Sequence, residues 1–436
     1  MDPRSLLNEQ QLDAVTVDGG ATLVLAGPGS GKTRVLTHRI AYLIDQMGIP
    51  PYRILAVTFT NKAANEMKKR LESMVPERAQ SVWLGTFHSI CVKILRREAK
   101  YLPVDSNFTI YDVDDQAALI KNILKDLNLN DKLYRPGAIQ ETISRAKNEM
   151  IMPKQYNIRT SRDAKIQEIY ERYQASLRAC NAMDFDDLLL SALSLLYEND
   201  DVREKYAARF EHVLVDEFQD TNQIQYELVR LLSSVHKNLF VVGDEDQSIY
   251  RWRGADYRNV LRFEEDYGNF SKVLLEQNYR STQKVLDLAR SIIDQNRHRT
   301  PKALFTERGS GSLIRFYNAE DDRDEADYVV RTIRSEINKG ISPASFAIMY
   351  RMNSQSRMLE EAFMKAGIPY RLVGAQRFYG RREVKDVIAF LKLVQNPKDE
   401  VSIRRVINVP PRKIGDKSVD KLAEVARLTE SSLGDV

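Results

Sequence analysis

Three observations predict an α/β protein with parallel sheets and a helical insertion domain. First, the apolar run Leu23-Val24-Leu25 leads into Ala26-Gly27-Pro28-Gly29-Ser30-Gly31-Lys32-Thr33 and then a helical pattern from Arg34 to Asp45. Second, buried-strand runs alternate with helical periodicity over most of the chain, as parallel βαβ units require. Third, between Tyr101 and Met183 helical periodicity dominates and no buried-strand run occurs.

The chain of 436 residues has room for about two to four domains. Its net charge of +4 confines any basic surface to a local patch. Two cysteines, Cys91 and Cys180, exclude a disulfide framework and a cysteine zinc cluster. There is no apolar run long enough to span a membrane, and Met1-Asp2-Pro3-Arg4 lacks the apolar core of a signal peptide. A cytoplasmic location is expected, with no membrane partner.

Residues 7–15 read as a short helix capped by Asn8. Gln11 on this helix offers an adenine both a donor and an acceptor, although a helical Gln is commonly just solvated. The 26–33 stretch is a P-loop. Its glycines allow close backbone approach to a phosphate, and its amides open a helix N-terminus toward the anion. Lys32 would bridge the outer phosphates and Thr33 would bind Mg2+. Ala26 replaces the usual first glycine of the motif.

The strands Arg53 to Thr58 and Val82 to Gly85 come next, with a helix from Ala63 to Arg70 between them. Each strand ends in a polar and aromatic stretch, Phe59-Thr60-Asn61-Lys62 and Thr86-Phe87-His88. Such mixtures suit a single-stranded nucleic-acid groove, or simply a helix cap beside a core aromatic. Helices at Asp114–Leu127, Arg135–Lys147 and Asp163–Cys180 make up the insertion. The strand Val213-Leu214-Val215 then ends in Asp216-Glu217, an acidic pair of the kind that completes a P-loop site. Asp216 would hold Mg2+ through water, and Glu217 would orient or activate the attacking water. Leu239 to Val242 is followed by Gln247, placed to sense a γ-phosphate, and by Tyr250, Trp252 and Arg253. Aromatics among arginines suit base stacking and phosphate contact, or a core Tyr/Trp pair. Residues 272–276 read as a strand before Gln277-Asn278-Tyr279-Arg280. Further strands are expected at Leu313–Phe316, Phe346–Tyr350 and Tyr370–Val373, with helices near 283–296, 322–338, 355–366, 383–395 and 417–429. If this second α/β unit packs on the first, Arg280 would reach the nucleotide from the opposite side.

Several motifs in order resemble the UvrD/PcrA/Rep group of superfamily 1 DNA helicases. They are Leu7-Asn8…Gln11…Ala14, the P-loop, Thr58-Phe-Thr-Asn-Lys-Ala-Ala64, Gly85-Thr-Phe-His88, Asp184-Phe-Asp-Asp-Leu188, Val215-Asp-Glu-Phe-Gln-Asp-Thr-Asn222, Val242-Gly-Asp-Glu-Asp-Gln-Ser-Ile-Tyr-Arg-Trp-Arg-Gly254 and Gln277-Asn-Tyr-Arg-Ser281. Tyr350-Arg-Met-Asn-Ser-Gln-Ser-Arg357 and Phe378-Tyr-Gly-Arg-Arg-Glu-Val-Lys-Asp386 also resemble that group.

The resemblance implies two RecA-like P-loop domains that hydrolyse Mg-ATP between them. Gln11 and Tyr279 would lie at the adenine and Arg34 near the phosphates. Lys32, Glu217, Gln247 and Arg280 would serve hydrolysis, with Thr33 and Asp216 on the metal. Phe59, Asn61, His88, Tyr250, Trp252 and Arg253 would line the DNA path. The activity implied is 3′ to 5′ translocation on single-stranded DNA and unwinding at single-strand/duplex junctions, in DNA repair, with repair or replication proteins as partners. The expected division is 1–104 and 191–271 for the first RecA-like domain, 105–190 for a helical accessory insertion, 272–388 for a second, incomplete RecA-like domain, and 389–436 for the start of a second accessory domain. A Thr-Ile-His…Ala-Lys-Gly motif and a Tyr-Val-Ala-x-Thr-Arg-Ala motif of the group do not occur. The expectation is therefore an N-terminal portion of a helicase with impaired unwinding. The alternative is an ATP- and DNA-binding module without productive turnover.

Overall fold

Six short apolar runs pair side by side into one sheet. In the computed structural model, residues 6–249, 256, 258–296, 300–373, 382–429 and 432–435 are described. The strands are β1 (Thr22–Ala26), β2 (Ile54–Thr58), β3 (Trp83–Thr86), β4 (Thr109–Tyr111), β5 (Ala182–Asp184), β6 (His212–Val215), β7 (Leu239–Gly243) and β8 (Ser271–Leu275). The large sheet has the order β3-β2-β6-β7-β1-β8, with every neighbouring pair parallel. Every residue of β1, β2, β6 and β7 is buried, as expected of a parallel sheet covered on both faces. Alternation sends Leu23, Leu25, Val57 and Val215 to one core and Val24, Ala26, Ala56 and Val242 to the other.

The second of these cores is closed by α1 (Glu9–Thr16), α2 (Lys32–Asp45) and α3 (Asn61–Met74). The first is closed by α4 (Phe87–Arg97) and by later helices described below. The insertion contains α5 (Val113–Asp126), α6 (Pro136–Asn148) and α7 (Ser161–Ala179), and buries a core of its own around Tyr111, Ile120, Ile143, Ile169 and Tyr173. It is not free of strands, contrary to expectation. β4 and β5 form a parallel pair at its root. Three residues each are too few to register as an apolar run, so tertiary pairing sets them.

From there α8 (Phe185–Glu198), α9 (Asp200–Arg209), α10 (Gln223–Leu232) and α11 (Arg258–Asp266) cover the first core. The sequence pattern puts β8 at the start of a second domain; it instead pairs with β1, from Thr22↔Ser271 to Ala26↔Leu275. The chain divides into two compact units at other points: Met1–Gly311 with Asp386–Val436, and Ser312–Lys385. The first unit also holds α12 (Gln283–Ile293).

In the second unit α13 (Asp322–Asn338) and α14 (Ser356–Ala366) pack through Ala326, Val330, Ala362 and Phe363. The strands expected at Leu313–Phe316, Phe346–Tyr350 and Tyr370–Val373 do not form. An apolar run becomes a strand only when a neighbour takes its N–H and C=O groups, and among the described residues none does. Phe316 and Met349 are accordingly 93% and 94% exposed. The helices α15 (Arg382–Gln395), α16 (Glu400–Val406) and α17 (Asp416–Leu428) follow. Past Asp386 this stretch docks on the insertion. Tyr111 donates to Asp399 at 2.7 Å, and the buried Asn396 amide donates to the Thr109 hydroxyl and the Cys180 carbonyl. Among the described residues, no helix is long and apolar enough to cross a membrane.

A buried charge cluster joins the insertion to the sheet domain. Lys147 Nζ, at the end of α6, lies 2.6 Å from Asp184 and 2.8 Å from Asp187. These two acids form the capping box of α8, and Tyr173 donates to Asp184 at 2.8 Å. Burial raises Asp184, but the Lys147 ammonium outweighs it and holds the carboxyl below its usual range. Burial and the Asp184 charge push Asp187 up to about 6. Removing one partner of such a cluster leaves buried charge uncompensated. Lys147→Met should therefore destabilise the protein by about 3–5 kcal/mol. Denaturant unfolding followed by circular dichroism checks this, and an unchanged midpoint would contradict it.

Candidate active site

The strand order determines which side chains meet. β7 lies between β1 and β6, so its carboxyl end stands between the P-loop and Asp216-Glu217. The P-loop leaves β1 at Ala26. Gly27, Pro28, Gly29, Ser30 and Gly31 form the turn, with the Ser30 hydroxyl donating to the Gly27 carbonyl at 2.8 Å. Gly29 and Gly31 have φ of +66° and +91°, where a Cβ would be strained. Gly31 is also the N-cap of α2, so Lys32 and Thr33 open the helix.

Lys32 is buried, and its ammonium is 3.8 Å from Asp244. The Asp216 carboxyl at the end of β6 is pushed up to about 7 by burial and by the Glu217 charge. The Lys32 ammonium and the Thr33 hydroxyl pull it the other way. Asp216 Oδ1, Asp220 Oδ1 and Thr58 Oγ1 are buried side-chain oxygens without a hydrogen-bond partner. An orphaned carboxylate oxygen beside the first hydroxyl of the P-loop helix fits a hydrated Mg2+. Among the described residues no cluster of three His, Cys, Asp or Glu could hold a metal by itself, and a Mg2+ site that relies on phosphates and waters needs none.

Glu217 adopts φ +50° and ψ +44°, a left-handed conformation rare for this residue type. Its carboxylate accepts from Gln219 at 2.9 Å, and Gln219 Oε1 accepts from the Asp244 amide at 2.8 Å. Gln247 donates to Asp244 at 2.6 Å. Gln219 and Asp244 lie inside the quoted motifs, but the sequence reading gives them no role; the structure places them between Glu217 and Gln247.

Tyr279 and Arg280 lie against the P-loop within the first compact unit. The Tyr279 amide donates to the Gly29 carbonyl at 2.9 Å, and Asn278 donates to the Pro28 carbonyl. Arg280 does not arrive from a second unit, because β8 carries it to the same sheet edge as the P-loop. The exposed Tyr279 ring has its hydroxyl bonded to Asn8 and Gln277, and the Arg34 charge lies nearby. The Gln11 side chain is buried and donates to the Ser30 carbonyl at 2.8 Å, while its oxygen accepts from the Asn8 amide. In this structure Gln11 fastens α1 to the P-loop.

Phe59 and Asn61 follow the carboxyl end of β2, and His88 follows that of its neighbour β3. Phe59 meets Phe87 edge-on at 6.3 Å, and Asn61 opens α3 in the open. Burial lowers the His88 imidazole below its usual range and so favours its neutral form. His88 also meets Phe185 edge-on at 5.7 Å, and Phe185 is 45% exposed. The Asp184-Phe-Asp-Asp-Leu188 motif thus divides its roles: Asp184 and Asp187 cap a helix, Asp186 accepts from Asn148, and the aromatic faces outward. Tyr250, Trp252 and Arg253 lie outside the described residues, as does part of the Phe378–Asp386 motif.

A P-loop, an acidic pair two strands away and a polar sensor between them define a P-loop nucleotide-binding protein. The UvrD/REP helicase N-terminal domain model matches residues 7–268, and the UvrD-like helicase C-terminal domain model matches 273–435. The chain belongs to the UvrD/REP helicase family. Over 431 residues it is 47% identical to an ATP-dependent DNA helicase PcrA of Staphylococcus epidermidis and 46% identical to one of Staphylococcus aureus. Each match covers 98% of this chain and 59% of the relative, so the chain spans about three fifths of their length. The second domain match corrects the expectation of an N-terminal portion alone.

The raised Asp216 carboxyl has a stability consequence. A carboxyl whose folded value lies above its unfolded one contributes stability at low pH and loses it as pH rises through the folded value. With Asp216 near 7, Asp216→Asn should stabilise the nucleotide-free protein at pH 8 by up to about 4 kcal/mol. The gain should shrink toward pH 5. Thermal unfolding of both proteins at the two pH values checks this, and a pH-independent difference would contradict it.

Proposed function

We propose that this chain acts as an ATP-dependent DNA helicase that translocates 3′ to 5′ on single-stranded DNA. The observation that carries the reading is the convergence of Lys32, Thr33, Asp216, Glu217, Gln247 and Arg280 at one sheet edge, next to an aromatic and polar face. The adenine stacks on the exposed Tyr279 ring, with Arg34 toward the phosphates and Gln11 bracing the loop. P-loop amides and Lys32 hold the β- and γ-phosphates. Thr33 and Asp216 hold Mg2+, which supplies charge neutralisation on the phosphate oxygens. Glu217, fixed by its backbone and by Gln219, orients a water and takes its proton. As the water oxygen bonds to the γ-phosphorus, the bond to the β–γ bridging oxygen breaks, and ADP and phosphate result. Gln247 and Arg280 stabilise the transferring group.

Phe59, Asn61, His88, Tyr250, Trp252 and Arg253 line the single strand in this reading, and Phe185 joins them. Stacking on such rings is sequence-tolerant, as a translocating motor needs. Residues 105–190 serve as the first accessory domain, and residues 389–436 belong to the second. Single-strand/duplex junctions are the substrate, and repair or replication proteins the partners.

ATP hydrolysis by the purified chain, with and without single-stranded DNA, tests the reading. Stimulation by DNA of tenfold or more is expected, and Lys32→Ala should abolish turnover. A chain that binds nucleotide and DNA without DNA-stimulated turnover would be the binding module instead.

A further inference from the structure

Asp244 is wholly buried and faces two lysines. Lys32 is one, at 3.8 Å; the other is Lys302, at 2.8 Å and itself 1% exposed in its side chain. Lys302 also lies 3.7 Å from Asp246. The segment that carries it is fastened on both sides. Thr300 donates through its amide and its hydroxyl to Glu245, at 2.7 and 3.1 Å. The Ala303 amide donates to Glu276 at 2.6 Å, and a Cβ on Gly27 would collide with Leu304. The strap therefore crosses the sensor loop and the P-loop together, and it holds an ammonium between them.

A buried carboxylate left without a cation is costly. In the proposed reaction Lys32 serves the phosphates, and Gln247 turns to the γ-phosphate. Both are partners of Asp244 here. If Lys32 were the carboxylate's only cation, ATP would have to pull it away from a buried negative charge. We propose that Lys302 is a positioning residue for ATP: it is the standing counter-ion of Asp244, and it releases Lys32 and Gln247 to the phosphates. The inference rests on the nucleotide site proposed above. Lys302 touches no reacting atom and acts only through Asp244.

Titration with a fluorescent, non-hydrolysable ATP analogue in the presence of Mg2+ and the absence of DNA tests it on the full chain. Lys302→Met should weaken binding tenfold or more, and Lys302→Arg should stay within about threefold of the unaltered protein. Lys302→Met combined with Asp244→Asn should recover most of the loss, because the charge that required compensation is gone. A merely structural lysine would show no such recovery. Binding by Lys302→Met equal to that of the unaltered protein overturns the inference. So does a double variant no better than the single one. If Lys302→Met fails to fold while the double variant folds and binds, charge compensation is upheld; if neither folds, it is overturned. Failure of the unaltered chain to bind the analogue would remove the nucleotide site itself, an outcome distinct from all of these.

Discussion

The site depends on one buried carboxylate at the end of the middle strand. Asp244 is 0% exposed, and β7, which presents it, lies between the P-loop strand and the acidic strand. Charge in that position must be matched, because burial without a partner is prohibitive. Its partners include residues of the nucleotide machinery or next to it: Lys32, Gln247, Lys302 and, through the main chain, Gln219. Gln219 then reaches Glu217, so an ion pair from Lys32 and a run of hydrogen bonds together join the P-loop to the acidic pair.

The same logic joins the helical insertion to the sheet. Lys147 closes on the two acids that cap α8. One residue later, the Asn148 side chain accepts from Asn222 at 2.7 Å and donates to Asp186 at 3.0 Å. Asn222 caps α10 immediately after the acidic stretch that begins at Asp216. The outward-facing aromatic at 185 and the buried acids at 184 and 187 therefore share a short piece of chain with contacts to both domains. A packed polar connection of this kind is the physical prerequisite for coupling a nucleotide site to a distant surface.

Motifs whose parts are close together along the chain are legible in the amino-acid sequence. The P-loop, Asp216-Glu217 and Gln247 each sit at a strand end with fixed spacing, and the helices of the insertion lie where periodicity places them, within about two residues. What is not legible depends on long-range pairing. An apolar run at 271–275 does not say which sheet it joins, and it joins β1. Runs at 313–316, 346–350 and 370–373 lack the neighbours that would make them strands. Lys302 and Asp244 are 58 residues apart, and Lys147 and Asp184 are 37 apart. No local pattern distinguishes such lysines from solvated ones. Gln11 does lie at the P-loop, as its place before the first strand suggests, but its amide is engaged by backbone on both sides.

In the proposed function one sheet edge binds nucleotide and DNA as coupled ligands. Coupling between two equilibrium binding sites is reciprocal, so each ligand must change the affinity of the other by the same factor. The decisive measurement is the dissociation constant for an oligothymidylate with and without a saturating non-hydrolysable ATP analogue and Mg2+, together with the converse titration. A change of about fivefold or more in either direction, equal in the two titrations, is predicted. Equal affinities with and without the second ligand would contradict it.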